Sequence, residues 1–163
     1  MHAPLLAYGL LAGLAIALVI AAATDIRSRT IGNRLNLAIA LAAPLFWWAS
    51  GLEPWPGMAA QLVLALATFA VGAGLFALRA MGGGDVKLLA ALALWIEPGM
   101  FARLVIAMAL LGGLLTLCMM VARAMRGGRE RLAIPYGVAI AAAGLWVLAG
   151  AHLQAAGRFV VMV

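Results

Sequence analysis

RAMGGGDVKLLAALAL, Arg79–Leu94, sets three glycines and a carboxylate directly ahead of an apolar run, and its reading decides the fold. A carboxylate at membrane depth is costly, and three glycines weaken any helix they join. Composition assigns the run to a bilayer. Of 163 residues 67% are hydrophobic and 10% charged, with a mean hydropathy of +1.15. A soluble domain of this length needs far more polar surface. The net charge of +6 comes from ten arginines and Lys87 against five acids. In so apolar a chain that excess marks cytoplasmic loops and anionic lipid rather than nucleic acid.

Outward from this stretch, six apolar runs follow: Pro4–Ala23, Leu35–Leu52, Met58–Leu78, Val86–Ile96, Met100–Ala122 and Ala133–Leu153. A crossing needs roughly 20 apolar residues. Five runs suffice, and the fourth, about 16 Å as a helix, is short. Arg27, Arg29, Arg34, Arg79, Lys87, Arg123, Arg126, Arg129 and Arg131 fall on one side of a six-span arrangement, and only Arg103 and Arg158 on the other. The positive-inside rule then puts both termini outside and three connections in the cytoplasm. The expected fold is an all-α membrane protein of six transmembrane helices, one polytopic domain over residues 1–163. A cleaved signal peptide over Pro4–Ala23 is the competing reading, but no Lys or Arg precedes that run. Trp47, Trp48, Trp55 and Trp95 fall near outer ends and read as interface anchors. Gly9 and Gly13 read as a helix-packing pair.

The chemical inventory is short. Cys118 stands alone, which excludes an internal disulfide and a Cys-rich zinc module. No combination of Ser28 or Ser50 with His2 or His152 belongs to one face together with a third orienting group, so a Ser–His nucleophile pair is not expected. No H-E-x-x-H zinc helix is present. Glu53 and Glu97 fall outside, and Glu130 sits among arginines. Asp25, in TDIRSRT, and Asp85, in GGGDVKLLA, remain as carboxylates at inner span ends without a surface role.

Two aspartates within hydrogen-bonding reach share one proton near neutral pH. One then activates water while the other polarises a peptide carbonyl. A divalent cation wants about six oxygens, which two aspartates supply poorly. No metal and no cofactor are therefore expected. Gly82, Gly83 and Gly84 suit either an extended peptide lying against the strip or a flexible turn between helices. Arg27 and Lys87 either lower a neighbouring carboxylate's pKa or anchor the rim in lipid. Three function classes share these residues: a peptidase, a metal-dependent transferase acting on lipid head groups, and a non-catalytic ion or proton relay or assembly subunit.

Taken together, TDIRSRTIGNRLN, MGGGDVKLLAALAL and IPYGVAIAAAG resemble, in order and over essentially the whole chain, the type IV prepilin peptidases, GxGD-type membrane aspartic peptidases. The resemblance implies that Asp25 and Asp85 are the catalytic pair, with Gly82 and Gly84 as the glycines of the motif. The family's D-x-R and I-P-N become Asp25-Ile26-Arg27 and Ile31-Gly32-Asn33, so Asn33 keeps a positioning role while Gly32 in place of proline implies a looser turn. Pro135, Tyr136 and Gly137 match the family's sixth-span motif and either pack against the GGGD strip or simply open a helix, where a proline is ordinary. With one cysteine, the paired-cysteine methyltransferase domain of larger members is not implied. The compact layout resembles the enzymes of tight-adherence (Flp-type) pilus systems. The partners implied are prepilin or pilin-like precursors, cut on the cytoplasmic side of the bacterial inner membrane just ahead of an apolar helix, along with anionic membrane lipids and no nucleic acid.

Overall fold

The computed structural model describes the backbone of residues 3–126 and 135–161, with side chains over 3–125 and 135–150. The described residues form six α-helices and no strand: α1 (Pro4–Ser28), α2 (Asn33–Ser50), α3 (Ala59–Ala77), α4 (Gly83–Ala93), α5 (Pro98–Arg126) and α6 (Tyr136–Val161), with a π-turn at Pro54–Met58 before α3. Among the described residues, each of the six apolar runs lies mostly on a helix. Pro4–Ser28, Pro54–Ala77 and Pro98–Met125 are long and apolar enough to cross a membrane. His2, Arg129, Glu130 and Arg131 lie outside the described residues, as do the side chains of Arg126, His152 and Arg158.

Chain-end chemistry sets the boundaries. Pro4 opens α1, where a missing N–H costs nothing. The helix runs past Ala23 to Ser28, so Asp25 is helical and the chain turns only at Arg29, in the left-handed region at φ 54°. Gly51, at φ 71°, closes α2 with the Leu52 N–H on the Trp47 carbonyl, a Schellman turn. Arg79, at φ 57°, closes α3 in the same way, with the Ala80 N–H on the Leu75 carbonyl.

The shortest helix lies deepest. α4 packs against α2, α3 and α6, and α1 packs against α2 and α6. Leu88 and Leu92 of α4 are fully buried with Leu18, Leu104 and Ile140. Long helices such as α3 and α5 turn apolar side chains outward, among them Leu66, Leu110 and Leu114. At 11 residues, α4 measures about 16 Å and is surrounded by protein, so its backbone ends are satisfied by protein groups. Trp47 Nε1 donates to the Leu94 carbonyl at 2.6 Å, at the end of α4. Trp95 Nε1 donates to the Ile39 carbonyl at 2.9 Å, and its ring stacks on Phe46 at 5.0 Å. These two indoles therefore belong to the core, which corrects their reading as interface anchors. Trp48 and Trp55 are exposed. Neither Gly9 nor Gly13 faces another helix closely: a methyl at either would meet nothing within 4 Å.

Candidate active site

Two helix ends of opposite polarity carry the two aspartates. Asp85 is the third residue of α4, after Gly82 in extended conformation at the N-cap. There a carboxylate reaches back to the cap N–H and faces the positive end of the helix dipole. The Gly82 backbone N–H does hydrogen-bond Asp85. Asp85 thereby serves the N-terminus of the helix that Gly82 begins. Asp25 has no such support. It lies in the last turn of α1, where the dipole disfavours a negative charge. It is 5% exposed, and its Oδ2 has no hydrogen-bond partner among the described residues.

Sixty positions apart in sequence, Asp25 and Asp85 line one cavity of about 220 Å³ with Gly82, Gly83, Gly84, Arg29, Thr30 and Ile31. Asp85 stands one residue ahead of the apolar run Val86–Ile96. Burial raises its carboxyl, and the charge of Asp25 raises it further. The Gly82 N–H opposes both, and the result is about 6 against an ordinary 3.8.

Glycines make the cavity possible by letting neighbours approach. A methyl on Gly137, at the start of α6, would stand 2.9 Å from Asp25 Oδ2 and 2.7 Å from Ile31 Cδ1. One on Gly84 would meet the Ile31 backbone N and O at 3.3 Å. The close approach at Gly84 is thus to the chain's own α1–α2 connection. Gly83 and Gly84 are helical and Gly82 alone of the three is extended, so the stretch is a helix start rather than a flexible turn between helices.

The remaining sequence candidates divide. Gly137 touches Asp25, but Tyr136 lies over Gly112 of α5, where a methyl would come 2.7 Å from its ring. Pro135 is buried just before α6 and its carbonyl accepts the Val138 N–H. Only Gly137 of the three faces the aspartates. Arg27 is exposed at the end of α1 and does not line the cavity. Lys87 Nζ donates to Asn33 Oδ1 at 2.8 Å; both residues line a second, apolar groove rather than the aspartate cavity. Gly32 has φ −62°, inside proline's range, so the turn holds the backbone angle that a proline would give. Arg29, Thr30 and Ile31 are cavity residues that sequence reading passed over. The i, i+4 spacing of Asp25 and Arg29 was the available signal. Asn36 was missed as well: its Nδ2 donates to the Gly84 carbonyl at 3.2 Å, tying α2 to the first turn of α4.

Among the described residues no cluster of three or more His, Cys, Asp or Glu forms. No curated protein and no solved structure matches the chain. A model of the type IV leader peptidase family matches residues 12–121, a span that holds both aspartates, the Gly82–Asp85 turn and every residue of the cavity they share. The chain belongs to the type IV leader peptidase family.

Proposed function

We propose that this membrane protein is an aspartic leader peptidase, with Asp25 and Asp85 as its catalytic residues. The observation that carries the reading is their meeting in one small cavity from helix ends that favour the charge of only one of them. Asp85 has a structural reason to be where it is. A buried Asp25 Oδ2 without a hydrogen-bond partner among the described residues costs stability, and catalysis supplies the reason to keep it.

With one proton between them, the ionised carboxylate accepts a proton from water as the water oxygen attacks the scissile carbonyl carbon. The protonated carboxyl donates a hydrogen bond to the carbonyl oxygen. As the C–N bond breaks, a proton from the pair passes to the leaving amine. Arg29 lines the same cavity. Gly137 and Gly84 leave room for Asp25 and for the Ile31 connection, while Asn36 holds the Gly84 carbonyl. The transferase and relay readings draw on the same two acids, but family membership favours peptide hydrolysis.

The distribution of arginines supports six crossings with both termini outside and the aspartates at the cytoplasmic face. In this reading the whole chain is one polytopic domain of a bacterial inner membrane, with basic loops bound to anionic lipid. Its substrates are prepilins or pseudopilins of Flp-like systems, carrying a basic leader followed by an apolar helix. The test is incubation of the purified protein with such a precursor and mass analysis of the products. Release of the intact leader by one cut ahead of the apolar helix is expected. An uncut set of Flp-like precursors refutes the reading.

A further inference from the structure

The second groove has no part in the chemistry above. α2 and α3 both pack on α4 but barely touch each other, because α4 is short and recessed between them. The groove left has a volume of about 520 Å³. Its lining runs from Asn36 and Lys87 past Ala40, Ala65, Leu66 and Ala90, roughly 10 Å or two helical turns. Small residues from three helices let another backbone come close.

A second observation selects the occupant. Asn36 lines the groove, is 4% exposed, and spends its Nδ2 on the Gly84 carbonyl. Its Oδ1 is buried and has no hydrogen-bond partner among the described residues. A buried acceptor is costly until a donor meets it. Hydrocarbon tails of lipid carry no donor, whereas the first turn of a helix offers four N–H groups without intrahelical partners.

We infer that this groove docks the apolar helix of the substrate, its first turn at the Asn36 end, donating a free backbone N–H to Asn36 Oδ1. The inference rests on the leader peptidase reading and deepens it. Gly84 joins the two sites: its carbonyl is held by Asn36, and the same residue lines the aspartate cavity. A helix seated here places the peptide just ahead of its first turn across Gly82–Gly84 toward Asp25 and Asp85. The short fourth helix thus builds the recess that positions the scissile bond.

Cross-linking tests this directly. In a chain with Cys118→Ala, and Asp25→Asn to retain uncut precursor, single cysteines are placed at Leu37 or Leu66 in the groove. A third variant carries the cysteine at Leu114, an exposed residue of α5 outside it. The probe is a Flp-like precursor with one cysteine in the second turn of its apolar helix. Cross-links at Leu37→Cys and Leu66→Cys at least tenfold above Leu114→Cys are expected, with yield lowered when Asn36→Leu removes the acceptor. Equal yield at all three positions, or links between two enzyme copies instead of to precursor, overturns the inference. The precursor's cleavage by the chain retaining Asp25 is scored in parallel. Cleavage without groove cross-links overturns the docking and leaves the peptidase reading standing. Groove cross-links without cleavage uphold the docking and remove the peptidase reading.

Discussion

Gly137→Ala is the most discriminating single substitution in the molecule. The added methyl would lie 2.9 Å from Asp25 Oδ2 and 3.0 Å from Asp25 Cγ. An ordinary contact begins near 3.4 Å, so Asp25 or the start of α6 must yield by about 0.5 Å. Ile31 Cδ1, 2.7 Å away, is the end of a flexible side chain and yields by rotation. Asp25 is buried on the last turn of a helix and has less freedom. A misplacement of about 1 Å costs on the order of 10²-fold in rate, so half that shift predicts a loss of about 10-fold to 10²-fold. The assay is the initial rate of precursor cleavage by purified protein at equal amounts of inserted enzyme. Gly13→Ala, where a methyl meets nothing within 4 Å, should keep the wild-type rate. Adding Ile31→Val shortens the other contacting side chain and should not restore Gly137→Ala. Cleavage by Gly137→Ala within twofold of wild type refutes the reasoning, and so does full rescue by Ile31→Val.

Gly32→Pro should be accepted and should stabilise the protein by about 0.4–1 kcal/mol, read as a higher melting temperature in detergent, by reducing unfolded-chain freedom. The backbone already has φ −62° and a side chain there meets nothing within 4 Å; a lower melting temperature contradicts this. The raised carboxyl of Asp85 predicts a pH effect on stability. The folded chain holds this proton more tightly than the unfolded one, so the contribution is complete below about 3.8 and is lost as pH rises through about 6. Melting temperatures from pH 4 to 7 should fall less steeply for Asp85→Asn than for wild type, and identical slopes contradict the assignment.

The hydrophobic runs were legible because a bilayer imposes length and apolarity on anything that crosses it, and among the described residues each run does lie mostly on a helix. Boundaries were less legible. Asp25 lies inside α1 and is buried beside Gly137 of α6, a tertiary contact that no window of hydropathy contains. Gly83 and Gly84 entered α4 although glycine weakens helices, since packing against Ile31 and Phe76 outweighs propensity. Trp47 and Trp95 were misassigned for a related reason. An indole near a span end satisfies its N–H either at the lipid interface or on a helix carbonyl, and only the tertiary fold decides between them. Elimination left Asp25 and Asp85 as the acids at inner span ends, and both line one cavity; that they act together is the proposal. That Lys87 turns to Asn33 while Arg29 lines the aspartate cavity depends on side-chain direction, which charge spacing alone does not give.

The central claim is that Asp25 and Asp85 cleave leaders together. Its most direct test is the cleavage rate of purified Asp25→Asn and Asp85→Asn, each shown to be inserted and folded, on a precursor that wild type cuts. Loss of general acid–base function predicts a fall of about 10²–10⁴-fold or more for each. A folded variant of either kind that keeps a wild-type rate contradicts the account.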